Sequence, residues 1–292
     1  MDERRRFKQV DVFTSVPFKG NPLAVVLNAD GLRDEQMHDI ARWTNLSETT
    51  FALAPRSPEA DYRVRIFSPG TEFDFAGHPT LGTAHALLEA GLQPKTPGQL
   101  VQECGVGLVP IAIAADGTLA FKSPEAQLRE LHPALFPTLR TAMGGAHFSG
   151  APIIATMGIT WLVVRMDSAE ACLAVVPDAA ALLELTRQGM TGIAMFGPHR
   201  DEGPANYEVR AIFTKSGMLA EDPVTGSANA CIARVLQAQG FPDGNSEGYS
   251  ARQGTLLQCD GRIKVRFMDG SPWIGGQSVT VIDGQITCAP AS

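Results

Sequence analysis

Apolar and polar residues alternate in short runs along most of this chain. In two places the alternation gives way to a stretch that is apolar on nearly every side. Residues 10–13 and 23–27 read as strands around the turn Gly20-Asn21-Pro22. Residues 32–44 place apolar side chains at 37, 40 and 41 on a polar background, which predicts an amphipathic helix entered from Asp30-Gly31. Strands are expected at 50–54 and 62–67. Residues 81–90 are apolar nearly all round and stop at Gly91, the pattern of a buried helix with a glycine C-cap. Residues 109–114 and 118–121 form a hairpin across Asp116-Gly117. Between 124 and 137, three prolines, several charges and a short helical turn at 126–131 read as a linker.

The order then repeats. Strands near 153 and at 161–165 precede a helix at 179–187 and strands at 192–196 and 207–213. A second nearly all-apolar helix, 228–239, closes at Gly240, and the tail is β-rich at 255–257, 263–267 and 273–282. Strands wrapped round one apolar helix are the simplest way to bury that helix on every side. The expected fold is therefore α+β, with a first domain at 1–125, a linker at 126–137 and a second domain at 138–279. The final strand, 280–292, is a candidate to return to the first domain. Two such domains leave a cleft between them, a common place for small-molecule sites.

At 292 residues, 44% hydrophobic and 19% charged, the chain has the composition of an ordinary soluble globular protein. Lys and Arg number 24 against 31 Asp and Glu, a net charge of −7 that disfavours nucleic acid as a partner. The one basic run, Arg4-Arg5-Arg6 with Lys8, stands beside Asp2 and Glu3 and reads as a solvated tail. No run is long enough to span a membrane, and no apolar leader is visible. Five scattered cysteines without a C-x-x-C fit unpaired thiols in a reducing compartment. A cytoplasmic location follows.

A short phrase occurs twice. His78-Pro79-Thr80-Leu81-Gly82-Thr83-Ala84 returns 144 residues later as Asp222-Pro223-Val224-Thr225-Gly226-Ser227-Ala228, each time shortly after an Ile-Phe pair (Ile66-Phe67, Ile212-Phe213). In both copies Gly82-Thr83 and Gly226-Ser227 are expected to open the buried helix, where unpaired N–H groups favour a carboxylate or enolate. The glycines allow close backbone approach, and Thr83 and Ser227 add hydroxyl donors. Plain helix capping explains either copy equally well. His78 and Asp222, with ordinary pKa values of about 6.5 and 3.9, could divide proton-handling roles on one substrate. A turn histidine and an N-cap aspartate are the competing readings.

Other chemistries fail on spacing. Gly105-Val106-Gly107 runs on to Pro110, so the dinucleotide fingerprint is broken, and neither a phosphate-binding loop nor a G-x-S-x-G elbow occurs. His78 and His85 stand about 10 Å apart on a helix, too far to share one metal. No metal is expected.

Four blocks together resemble the PhzF family of phenazine-biosynthesis isomerases. They are the segment from Phe18 through Gly20-Asn21-Pro22 to Val26, Asn45-Leu46-Ser47-Glu48-Thr49, Phe75-Ala76-Gly77-His78-Pro79-Thr80, and Glu221-Asp222-Pro223-Val224-Thr225-Gly226-Ser227-Ala228. Gln253-Gly254, Gly261-Arg262-Ile263 and Gly275-Gly276 resemble the family's later motifs, so the likeness runs from about Val10 to Gly284. Asp74 and Thr214-Lys215-Ser216-Gly217 depart from the family's pattern.

The resemblance implies a diaminopimelate-epimerase-like fold of two similar, pseudo-twofold-related domains with the active site between them. It implies a cofactor-independent isomerase or epimerase of a small cyclic or amino carboxylic acid, assembled as a homodimer. Glu48 would be the principal acid/base, moving a proton from one carbon to another, supported by His78, Asp222 and Ser227. Asn21, Ser47, Gly77, Thr83 and Gly226 would contact substrate. The paired cysteines of the epimerase relatives are missing, and Cys231 lies further along the helix, as a core residue would. A non-catalytic small-molecule-binding or interaction protein that kept the fold is the alternative.

Overall fold

The computed structural model describes residues 3–215 and 217–288. The chain forms two compact units, one from residues up to Lys122 together with Gly275 onward, the other from Ser123 to Ile274.

In the first unit, β1 (Glu3–Val12) runs antiparallel to β2 (Asn21–Val26). Helix α1 (Asp34–Thr44) then carries the chain over to β3 (Thr49–Leu53), which is parallel to β2. Parallel neighbours need such a crossover, and the amphipathic pattern of α1 lets it cover the sheet with Met37, Ile40 and Ala41. β4 (Tyr62–Phe67) is antiparallel to β3 and carries the two-residue β5 (Glu72–Phe73). The second crossover, α2 (Gly77–Glu89), leads to β6 (Gln99–Cys104), parallel to β4. β7 (Gly107–Ile113) and β8 (Leu119–Lys122) follow as antiparallel hairpins. The sheet curls so that β1, β2, β3 and β8 all touch α2, which explains why that helix is apolar all round.

The second unit repeats the connectivity. β9 (Gln127–Glu130), helix α3 (Phe136–Ala142) and β10 (Ser149–Thr156) come first, with β9 and β10 antiparallel. β11 (Thr160–Arg165) pairs antiparallel with β10. Helices α4 (Ala169–Ala174) and α5 (Ala179–Arg187) cross to β12 (Gly192–Pro198), parallel to β11. β13 (Tyr207–Lys215) and β14 (Met218–Asp222) follow antiparallel, and α6 (Gly226–Ala238) crosses to β15 (Gly248–Gln253), parallel to β13. β16 (Gly261–Met268) and β17 (Ser271–Gly276) follow, and β18 (Ser278–Cys288) returns to pair antiparallel with β1. Among the described residues no helix is long and apolar enough to cross a membrane.

Several expectations change. Residues 126–137, read as a linker, hold β9 and the start of α3 inside the second unit. The helical turn expected at 126–131 is strand, because β10 offers it a partner edge. The chain passes between units at Lys122 and again at Ile274, not at 125 and 279. Residues 255–257 form a 3-10 turn between two left-handed residues, Gly254 and Gln258, and 273–282 is broken between β17 and β18. Residues 289–292 of the returning strand, Asp2 and Ser216 lie outside the described residues.

The basic N-terminal run is not a solvated tail. Arg4, Arg5 and Arg6 pair with β18 along β1, and Lys8 lies further on, between β18 and β2. Arg5 donates to the carbonyls of Asn28 and Asp30, and the buried Lys8 ammonium pairs with Glu89 at 2.9 Å and Asp283 at 2.8 Å. Acidic partners remote in sequence make the cations tolerable there.

Candidate functional site

Glu48 is positioned by the way α1 ends. Asn45 takes a left-handed conformation (φ 54°) and donates its N–H to the Ala41 carbonyl, which stops the helix. The Thr44 and Thr49 hydroxyls bond to each other at 2.8 Å, so Leu46-Ser47-Glu48 is a short link held at both ends. Glu48 directly precedes β3, which is fixed between β2 and β4. Two residues on, Thr50 accepts a hydrogen bond from Thr83 of α2 at 2.8 Å. Positions two apart on an extended chain share a face. Glu48 accordingly meets α2 as well, with its Oε2 3.3 Å from His78 Nε2.

His78 is the second residue of α2, and its side chain is almost wholly buried. Burial pushes its imidazole down to about 3, so the ring is neutral at physiological pH despite the carboxyl group beside it. Neutral imidazole offers one donor and one acceptor nitrogen, and the pair with Glu48 is not an ion pair there.

The second unit holds its own cluster. Asp222 ends β14 opposite Ala211, and one carboxylate oxygen accepts from the Thr225 hydroxyl at 2.6 Å. Gln253, the last residue of β15, ties this corner together. Its Nε2 donates to the Asp222 carbonyl and the Thr225 hydroxyl, while its Oε1 accepts from the Thr225 N–H and Asn229 Nδ2. All four contacts lie between 2.9 and 3.1 Å, and Gln253 and Asn229 are completely buried. Ser227, the second residue of α6, accepts from Trp161 Nε1 at 3.0 Å.

The repeated phrase does not sit alike on the two helices. In the second copy Gly226 is the first helical residue and Ser227 the second. In the first copy the helix already begins at Gly77, so Gly82 and Thr83 lie within it. The helix starts thus match Gly77-His78 with Gly226-Ser227, and Asp222 is a strand end, not an N-cap. The cause is local. β14 extends to Asp222 along β13, whereas β5 has only two residues and lets α2 start earlier. Gly82 serves packing, since a Cβ there would stand 2.6 Å from Leu23 Cδ2 and 2.8 Å from Val12 Cγ2. Thr83 is buried on Thr50.

Neither helix has a side-chain cap, so the first-turn N–H groups at Gly77-His78 and Gly226-Ser227 are the natural seats for negative charge. Asn21 is buried at the head of β2, opposite Val12, and Ser47 is exposed beside Glu48. Cys231 is buried in α6, and burial pushes its thiol up to about 12, which suits a core residue. Sequence reasoning named Gln253 and Glu221 only within family motifs and gave no role to them, to Trp161 or Asn229, or to the Arg210–Glu221 pair, bonded at 2.9 and 3.1 Å next to Asp222. A polar residue on the inward face of an alternating strand was the available signal for Gln253.

Among the described residues no three His, Cys, Asp or Glu side chains gather as a metal-ligand set.

Comparison with known proteins bears on the family and the fold. The PhzC-PhzF family model, described as phenazine biosynthesis-like protein, matches residues 10–284. The Schizosaccharomyces pombe protein named antisense-enhancing sequence 1 is 34% identical over 294 residues, 96% of this chain and 97% of that one. The trans-2,3-dihydro-3-hydroxyanthranilate isomerase of Pseudomonas aeruginosa is 34% identical over 230 residues, 78% of each chain. A crystal structure of a Bacillus anthracis phenazine biosynthesis protein of the PhzF family superposes with a TM-score of 0.83 over 97% of this chain and 99% of that one, at 24% identity. The fold is α+β, as the pattern of elements predicts, and diaminopimelate-epimerase-like, as the family resemblance implies.

Proposed function

The chain belongs to the PhzC-PhzF family, and from that premise we propose that it is an isomerase moving a proton between carbons of a small cyclic or amino carboxylic acid, with Glu48 as acid and base. The observation that carries the reading is the Glu48–His78 contact, a carboxyl group against a buried imidazole kept neutral by its surroundings.

The Glu48 carboxylate takes a proton from a C–H beside the substrate carboxylate or an adjoining double bond. The electron pair of that bond moves into a delocalised enolate-type anion. Protonated Glu48, whose proton exchanges with solvent, then delivers a proton to a different carbon, and the enzyme ends as it began. Such a base must lie within hydrogen-bond reach of the carbon acid, and the developing charge must be met by preorganised donors. The N–H groups at Gly77-His78 and Gly226-Ser227 are suited to that charge, with the Ser227 hydroxyl as a further donor. Neutral His78 relays or orients the proton on Glu48 without adding a second charge. Asp222, oriented by Thr225, takes part in the second proton movement. The proposal requires Glu48 and His78 to act on the same substrate molecule as Asp222 and Ser227. A homodimer in the cytoplasm completes the reading, the latter in keeping with five scattered cysteines that contain no C-x-x-C.

Deuterium wash-in tests it. The protein is incubated in D₂O with trans-2,3-dihydro-3-hydroxyanthranilate and, separately, with proline, and incorporation at carbon is followed by mass spectrometry. Incorporation that disappears in Glu48→Gln supports the proposal. Undiminished exchange in that variant, or none from any acid with the native protein, sinks it.

A further inference from the structure

Phe18 is held in a position that the first unit itself gives no reason for. It has a left-handed backbone (φ 69°), uncommon for a bulky residue, and its side chain is 76% exposed. Strain and exposure of an aromatic ring are both unfavourable, and in combination they point to a contact outside the fold.

The surrounding loop is rigidly built. Asp11, 3% exposed on β1, accepts through Oδ2 from the N–H of Lys19 at 2.9 Å and of Gly20 at 3.1 Å. Gly20 admits no side chain, because a Cβ would fall 2.1 Å from the Val12 carbonyl oxygen and 2.8 Å from Asp11 Oδ1. At the other end, Thr14 donates its N–H to the Gln277 carbonyl at 3.0 Å, and its hydroxyl bonds both backbone groups of Val16 at 3.0 Å. The loop then enters β2 at Asn21. β2 and β3 are parallel, with Ala24 opposite Thr49, so the loop entering β2 and Glu48, which directly precedes β3, lie at the same end of the two strands. Phe18 is thus presented at the strand end from which Glu48 emerges.

We propose that Phe18 is a specificity-determining side chain of the Glu48–His78 site, packing on the ring of a planar carboxylic acid, and that Asp11 is the positioning residue that holds it there. This inference rests on the isomerase reading above and adds the shape of the acid it takes. Rigid aromatic anchors bind with little ordering cost.

The test uses the deuterium exchange assay with trans-2,3-dihydro-3-hydroxyanthranilate, and inhibition by anthranilate (a flat ring acid) and by butyrate (an acyclic one). Phe18→Ala is expected to raise KM and the anthranilate inhibition constant about tenfold or more, with kcat within about threefold and butyrate inhibition nearly unchanged. Phe18→Tyr should restore native values. Asp11→Ala should reproduce the KM rise with Phe18 still present, and Asp11→Asn, which keeps one acceptor oxygen, should recover part of it. A native KM in Phe18→Ala, or equal losses for anthranilate and butyrate, overturns the inference while leaving the isomerase reading intact. Absence of exchange by the native protein overturns both.

Discussion

His78 Nε2 stands 3.3 Å from Glu48 Oε2, and burial keeps that imidazole neutral at physiological pH. A protonated histidine would hold Glu48 as a carboxylate and oppose its service as an acid. A neutral one adds no positive charge beside that carboxyl group.

Removing the titratable oxygen should therefore remove turnover and little else. In Glu48→Gln, kcat is expected to fall about 10²- to 10⁴-fold, the range of general acid–base contributions, with the unfolding midpoint within a few degrees of native. Stopped exchange assays and thermal melts on the same preparation decide it. A fall in activity matched by a collapse in stability would show Glu48 to be structural instead.

The low pKa of His78 sets the sign of a pH effect. Its native value, about 3, lies below the ordinary 6.5, so between those limits the unfolded chain binds a proton that the native protein refuses. This contribution is complete above about pH 6.5 and is lost progressively as pH falls toward 3, by up to about 5 kcal/mol. Urea midpoints measured from pH 7.5 to 4.5 should drop more steeply for the native protein than for His78→Asn. Parallel curves for the two would show that His78 is protonated normally in the fold.

Gly82 separates the two readings of the repeated phrase. Alanine at a helical glycine usually stabilises by about 0.5–1 kcal/mol, but overpacking against Leu23 and Val12 costs about 1–3 kcal/mol. Gly82→Ala should consequently lower the melting temperature by a few degrees while KM stays near native. A raised KM at native stability would return Gly82 to a substrate-binding role.

Gln253 should couple stability to catalysis. Gln253→Leu leaves the Thr225 N–H, Asn229 Nδ2 and the Asp222 carbonyl short of a partner in a buried corner. Unsatisfied buried groups cost about 1–3 kcal/mol each, so a loss of at least about 3 kcal/mol is expected in denaturant unfolding. Because Thr225 orients Asp222, kcat should also fall below that of Gln253→Glu, which keeps an acceptor for Thr225 and Asn229. Native kcat in Gln253→Leu would detach this network from the chemistry.

Much of the architecture was legible in local patterns. The helix at 179–187 falls within the predicted residues, and the strands at 62–67 and 161–165 lie within a residue of theirs, because alternation and 3.6-residue periodicity report directly on a face that must be buried. The linker at 126–137 and the basic tail were misread for the opposite reason. Gln127–Glu130 has an exposed side-chain pattern, and β1 begins with charged residues, so neither shows the apolar signature of a strand. Their hydrogen-bond partners, β10 and β18, supply the structure from elsewhere in the chain.

The sequence by itself determined the duplicated order of strands and helices, the two all-apolar helices, and the residue types available for proton transfer, Glu48, His78, Asp222 and Ser227 among them. Each follows from short-range periodicity or from motifs that stay together in the chain. Only the tertiary structure decided that Glu48 meets His78, that Gln253 rather than a helix cap organises Asp222, and that the first copy of the repeated phrase lies inside its helix. Those outcomes depend on how far β5 and β14 extend along their neighbours and on which buried polar atoms find partners. Both are settled by contacts between residues remote in sequence, which local pattern does not encode.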